Sequence, residues 1–202
     1  MGIEDYTIFI QCEPHQEVND LVRYFPYKSK VDVKINDRRL GCKENNLQVL
    51  ERAFEHSDYN IHVEDDILMS RDSLKYFEWC KDQRQSDIFS VTGYNKLITT
   101  EAYKVEKIPW YVPWGWATWK ENFLEMLKIR ELNTIYTWDD EINRFIRGDR
   151  FLLKPTLARC QNIGAHGGSH IPSPEWHLAN QYNEYWAESL EYGEGEFYLQ
   201  NN

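Results

Sequence analysis

Three consecutive carboxylates, Glu64-Asp65-Asp66, follow directly on the strand-like run Tyr59-Asn-Ile-His-Val63. Like charges this close repel one another, and a strand that needs burial gains nothing from them. At the end of a parallel strand they line the edge where open α/β sheets bind ligands. Hard oxygen donors there suit Mg²⁺ or Mn²⁺, which take one or two carboxylates and complete their shells with substrate phosphates. The same acids also suit a solvated turn that favours the N-terminus of the next helix. Trp138-Asp139-Asp140 is the second acidic site. A Trp beside an Asp desolvates the carboxylate and strengthens it as a general base. A plain helix start, with Asp as cap and Trp in the core, fits those residues equally.

Other segments carry weaker signals. Trp110, Tyr111, Trp114, Trp116 and Trp119 crowd around Pro113 and Gly115. Aromatic faces cover sugar rings well, so a mixture of core packing and ligand contact is expected. Gly164-Ala-His-Gly-Gly-Ser-His170 reads as a glycine-hinged lid that can carry His166, Ser169 and His170 to a phosphate or metal, or as an ordinary surface loop. Arg38, Arg39 and Lys43 form a compact basic group that suits either a diphosphate or a solvated helix start. There is no GxGxxG, GxxxxGK[ST], GxSxG or HExxH, so dinucleotide, P-loop, hydrolase-elbow and zincin chemistry lose support.

The elements that must position these residues alternate. Tyr6–Ile10 reads as a buried strand, and Val18, Leu21, Val22 and Phe25 recur at helical spacing. Val31–Ile35 alternates as a strand, and Leu47, Leu50, Ala53 and Phe54 line one face of a helix over 44–54. After the strand at 59–63, Ser70 is placed to cap a helix through Trp79, and Ile88–Val91 is the next strand. This β-α-β-α-β-α-β order predicts a mostly parallel sheet flanked by helices. Beyond Gly93 the alternation decays: helices are expected over 115–127, 138–146 and 176–190, and the acidic tail 191–202 is poorly patterned.

Composition bounds the rest. The 202 residues suit a single domain, with 1–100 and 101–202 as its two halves. The net charge of −10 argues against nonspecific nucleic-acid binding. The apolar runs are too short for a membrane span, and no basic-apolar leader opens the chain. The four cysteines lack CxxC or zinc spacing, so free thiols in a reducing compartment, the cytoplasm, are expected.

Taken together, these features resemble a GT-A fold nucleotide-sugar glycosyltransferase, and more narrowly the N-acetylglucosaminyltransferase I group with its bacterial and viral relatives. The resemblance covers about three quarters of the chain. It runs through Ile8-Phe-Ile-Gln-Cys-Glu13, Asn36-Asp-Arg-Arg-Leu-Gly41, Val63-Glu-Asp-Asp66 in place of the usual DxD, Trp114-Gly-Trp116, Trp138-Asp-Asp140, Arg159-Cys-Gln-Asn-Ile-Gly164 and Gly168-Ser-His170. It implies a Rossmann-like α/β fold and transfer of a hexosyl or N-acetylhexosaminyl group from a nucleotide-diphosphate donor, a UDP-sugar, to a glycan or other hydroxyl acceptor with inversion. By the same resemblance, Asp66 holds the Mn²⁺ or Mg²⁺ that bridges the diphosphate. Glu13, Arg39, Lys43, Glu64 and Asp65 bind the donor, and Asp139 is the general base. Trp114, Trp116 and Asp140 meet the acceptor, and the 164–172 loop closes over the donor. Family members carry a strand before the one at Ile8, and only seven residues precede Ile8 here, so that first strand is expected to be missing. Two other classes remain open: a catalytically silent nucleotide-sugar-binding module of the same fold, and a metal-dependent phosphoesterase using the acidic triplet.

Overall fold

The computed structural model describes residues 2–96, 101–165, 172–180, 183, 186–187 and 195–200. The first half follows the expected alternation: β1 (Thr7–Cys12), α1 (Gln16–Tyr24), β2 (Lys30–Ile35), α2 (Cys42–Phe54) and β3 (Tyr59–His62). There follow β4 (Ile67–Met69), α3 (Ser73–Asp82) and β5 (Ile88–Thr92). The second half holds β6 (Lys104–Ile108), β7 (Trp116–Trp119), α4 (Lys120–Met126), α5 (Trp138–Glu141), β8 (Phe151–Pro155), β9 (Cys160–Asn162), α6 (Pro174–Asn180) and β10 (Tyr198–Leu199). A 3₁₀ stretch continues α4 over Leu127–Glu131, and a π-helical turn continues α5 over Ile142–Ile146.

Among the described residues the main sheet has six strands in the order β10-β6-β8-β5-β7-β3. It is mixed, which corrects the mostly parallel expectation. β5/β8 and β10/β6 are parallel, whereas β3/β7, β5/β7 and β6/β8 are antiparallel. The reason lies in β7. Trp116-Ala-Thr-Trp119 lacks a β-branched run and sits against a helical pattern, so the sequence predicts a helix from Gly115. The chain instead extends there, and β7 inserts between β3 and β5 with every residue buried. Helical periodicity begins only at α4. The tail likewise contributes β10, although two residues give little pattern to read. β1 and β2 form a separate parallel pair, with Thr7 opposite Lys30 and Cys12 opposite Ile35.

Neighbouring residues of each strand point to opposite faces, and each face has its own core. Leu152 joins Leu47, Leu50, Phe54, Phe89, Phe123 and Ile142 on the side of α2, α4 and α5. Leu153 joins Tyr76, Phe77, Cys80, Val91 and Phe197 on the side of α3. The helices therefore cover both faces, and the turns after the strands lie at the sheet edge.

The helix expected from a Ser70 cap starts later, at Ser73. Ser70 is held in the extension of the β4/β9 ladder, where its N–H donates to the Arg159 carbonyl at 2.9 Å and its hydroxyl donates to Asp72 Oδ1 at 2.7 Å. Asp72 Oδ2 pairs with Arg159 Nε at 2.9 Å, and both side chains are fully enclosed. Arg159 also donates to the carbonyls of Leu157 and Ala102 and lies over the rings of Phe197 and Tyr103. This buried pair ties the start of α3 to the chain entering β9. Of the helix expected over 176–190, α6 (Pro174–Asn180) supplies the first part and begins earlier, at Pro174; most of the remaining span lies outside the described residues.

Candidate active site

β3 ends at His62, and the next residues turn: Ile67 N–H donates back to the Glu64 carbonyl at 3.2 Å before β4 begins. β4 pairs with β9, placing Ile67 opposite Asn162. Asp66 is thereby brought against the 162–164 segment. Its carbonyl accepts from Ile163 N–H at 2.8 Å, and its Oδ2 accepts from Asn162 Nδ2 at 3.2 Å. Gly164 leaves room for the Asp66 carboxylate, whose Oδ2 a Cβ there would displace from its present position. Asp66 Oδ1 is buried and has no hydrogen-bond partner. Burial pushes the Asp66 carboxyl up; the Asn162 bond opposes this and the Asp65 charge adds to it.

Glu64 is half-buried and Asp65 is exposed. Asn46, buried on α2, donates to Glu64 Oε1 at 3.0 Å, and its Oδ1 lies 3.0 Å from His62 Nε2. With the amide so oriented, its oxygen faces His62 and assigns the proton to Nε2. Burial lowers the His62 pKa to about 4, so the ring is neutral at pH 7. Glu64 moves the other way. Desolvation raises it, the Asn46 bond opposes, and the charges of Asp66, Asp65 and Asp139 raise it further, to about 7.

Asp139 thus belongs to the same charge cluster as the triplet, 73 positions away from Asp66 in the chain. It sits half-buried in the first turn of α5, whose start is anchored by the buried ring of Trp138. Cys42, at the start of α2, joins them. The residue as a whole is exposed, yet its thiol is desolvated. That desolvation, together with the charges of Glu64 and Asp139, raises the thiol to about 11, against a hydrogen bond from Trp138. The charge of Asp139 thus acts on both Glu64 and Cys42, and those of Asp65 and Asp66 act on Glu64. Asp140 is half-buried beside Asp139.

Other expected site residues stand elsewhere. Trp116 cannot meet an acceptor: it is fully buried, in contact with Tyr111, Trp138 and His62, because β7 runs through the middle of the sheet. Trp114 is half-buried, edge-on to Tyr94 at 4.6 Å. Lys43, expected at a diphosphate, is engaged within the protein. Its ammonium pairs with the buried Glu141 at 3.1 Å and donates to the carbonyls of Ile129 and Leu132. Glu13 accepts from the N–H groups of Leu40 and Gly41 and from Asn36 Nδ2, so its carboxylate shapes the turn into α2. Gly41 has φ +81° there, a conformation that side-chain-bearing residues rarely adopt. Burial works to raise Glu13, and these bonds together with the Arg39 charge outweigh it, leaving the carboxyl below its ordinary value. Arg39 itself is exposed. His166, Ser169 and His170, and with them most of the expected lid, lie outside the described residues.

Several site residues carried no signal in the sequence. Asn46 and Cys42 are simply polar positions one turn apart on α2. His177 is buried on α6 with Nε2 3.1 Å from the carbonyl of Asn162, the residue whose amide donates to Asp66. Nothing around Trp176-His177-Leu178 marks it as more than a helical residue.

Among the described residues no three His, Cys, Asp or Glu side chains stand together as a ready-made metal cage. A hard divalent cation needs no such cage, since one or two carboxylates suffice when phosphates and water complete the shell. The unpaired buried Oδ1 of Asp66, within a cluster of carboxylates, fits that mode of binding. No helix among the described residues is long and apolar enough to cross a membrane. No known family model matches the chain, and no curated protein is significantly similar to it.

Proposed function

We propose that the protein is a metal-dependent glycosyltransferase of the GT-A fold that moves a hexosyl or N-acetylhexosaminyl group from a UDP-sugar to an acceptor hydroxyl with inversion. One observation carries this reading. In the Glu64-Asp65-Asp66 turn the buried Asp66 Oδ1 has no hydrogen-bond partner, and the neighbouring carboxylates, with Asp139 acting on Glu64, make its surroundings anionic. Such an anionic space favours a cation and the phosphates it brings.

In this reading Asp66 holds Mn²⁺ or Mg²⁺, which when bound offsets the charge growing on the departing diphosphate. Asp139 takes the proton of the acceptor hydroxyl. The oxygen forms its bond to the anomeric carbon from the face opposite the diphosphate, the carbon–oxygen bond to the diphosphate breaks, and the configuration inverts. Glu64 and Asp65 lie beside the ribose and the donor sugar. With a pKa of about 7, Glu64 can donate or accept a hydrogen bond near neutral pH. Arg39, exposed with Arg38 before α2, binds the donor phosphates. Trp114 and Asp140 meet the acceptor.

A catalytically silent nucleotide-sugar-binding module is the second reading. It is favoured by Glu13 and Lys43, whose charges are engaged within the protein. Incubating the chain with UDP-sugars, Mn²⁺ and a panel of acceptor glycans separates the two. Transfer with inverted anomeric configuration, seen by NMR and abolished by chelation, supports the transferase. Mn²⁺-dependent binding without transfer supports the module, and phosphate release from a generic ester without any acceptor sinks both.

A further inference from the structure

Tyr111 is 1% exposed, and its hydroxyl has no hydrogen-bond partner. A buried hydroxyl left unpaired carries the full cost of its desolvation. The ring is fixed edge-on against Trp116 and Trp138, with centroids 5.3 and 5.9 Å away. The backbone is fixed as well. Tyr111 N–H donates to Asn143 Oδ1 at 2.7 Å, while Asn143 Nδ2 donates to the Tyr111 carbonyl at 3.0 Å and to the Asp139 carbonyl at 3.2 Å. One buried amide therefore holds Tyr111 and Asp139 together.

The charges that act on the phenol are, in order, Asp139, Glu64 and Cys42. Trp138, the other ring at this wall, already directs its N–H to Cys42. The half-buried Asp139 carboxylate has no hydrogen-bond partner among the described residues. An unpaired donor and an unpaired acceptor are thus carried by two residues that Asn143 ties together at the backbone, with the Tyr111 ring against Trp138, the neighbour of Asp139. Catalytic hydrogen bonds often tighten only once substrate binds, so the lack of a bond here leaves this pairing open to the bound state.

We propose that Tyr111 is a positioning residue for Asp139: its hydroxyl donates to one carboxylate oxygen and leaves the other facing the acceptor. The role in turnover rests on the transferase reading; the contact does not. The test therefore has two arms on the full chain. In the first, the Tyr111 hydroxyl proton is sought by ¹H NMR and assigned by its loss in Tyr111→Phe. The expected result is a proton protected from exchange, with cross-relaxation to the Asp139 β-protons and loss of protection in Asp139→Asn. A proton that exchanges freely and contacts only water overturns the proposal. In the second arm, Tyr111→Phe lowers kcat about tenfold to a hundredfold, as misplacement of a reacting group does, with the donor KM unchanged. An unchanged kcat, or a KM change matching the kcat change, overturns the positioning role. If no acceptor supports transfer, the proposed function fails, and the first arm still decides the contact.

Discussion

Glu64→Gln should make the protein more stable at pH 8, although it alters the candidate active site. In the folded chain burial, opposed by the Asn46 bond and reinforced by the Asp66, Asp65 and Asp139 charges, raises Glu64 from 4.5 to about 7. Between those values the folded state binds more protons than the unfolded state, so stability falls as pH rises. The Glu64 contribution is complete below pH 4.5 and is lost as pH passes through about 7. At ~1.4 kcal/mol for each pH unit, the gap corresponds to ~3 kcal/mol. Glutamine keeps an oxygen for Asn46 and carries no charge, so the variant escapes that loss. Urea denaturation of both proteins at pH 5 and pH 8 provides the assay. The stability difference, variant minus wild type, should grow by ~2–3 kcal/mol between the two pH values. A difference that stays constant would show that Glu64 ionises freely in the folded protein, and the crowded-carboxylate picture would be wrong. If the cluster serves a divalent cation, Mn²⁺ should shrink the advantage of Gln, because bound cation relieves the same repulsion.

Asp139→Asn should leave donor affinity nearly intact and lower turnover by ~10²–10⁴, the usual worth of a general base; equal losses in both would mark a binding role instead. Asp72→Asn should destabilise the fold by ~3–5 kcal/mol in chemical denaturation, since it strands the enclosed Arg159 charge. A loss under ~1 kcal/mol would mean that the carbonyls of Leu157 and Ala102 suffice for that guanidinium.

The first half of the fold was legible because its elements follow strict periods: Leu47, Leu50 and Phe54 recur along α2, and Val31–Ile35 alternates between faces. The acidic turn was legible for a related reason, as carboxylates directly after a strand serve no core. What the sequence hid was pairing over long distances. Trp116-Ala-Thr-Trp119 is a strand only because β3 and β5 leave room for it, and no local pattern records that. Lys43 looked like a phosphate ligand because its partner Glu141 lies 98 residues away. Trp116 looked like a sugar platform because a fully buried Trp and an exposed one are the same letter. Tyr111 and Asn46 join the site through burial and hydrogen bonds, which composition cannot show.

If Asp66 holds a divalent cation through which the site takes its donor, donor binding must depend on both the metal and this carboxylate. Titration calorimetry of UDP-sugars into the wild type and Asp66→Asn, with and without Mn²⁺, tests it most directly. The site is polar and Asp66 is half-buried, so the variant should fold; equal urea midpoints would verify this. The wild type should bind donor in Mn²⁺ and lose that binding on chelation, whereas Asp66→Asn should bind no donor under either condition. Donor binding by Asp66→Asn with the metal dependence of the wild type would contradict the account.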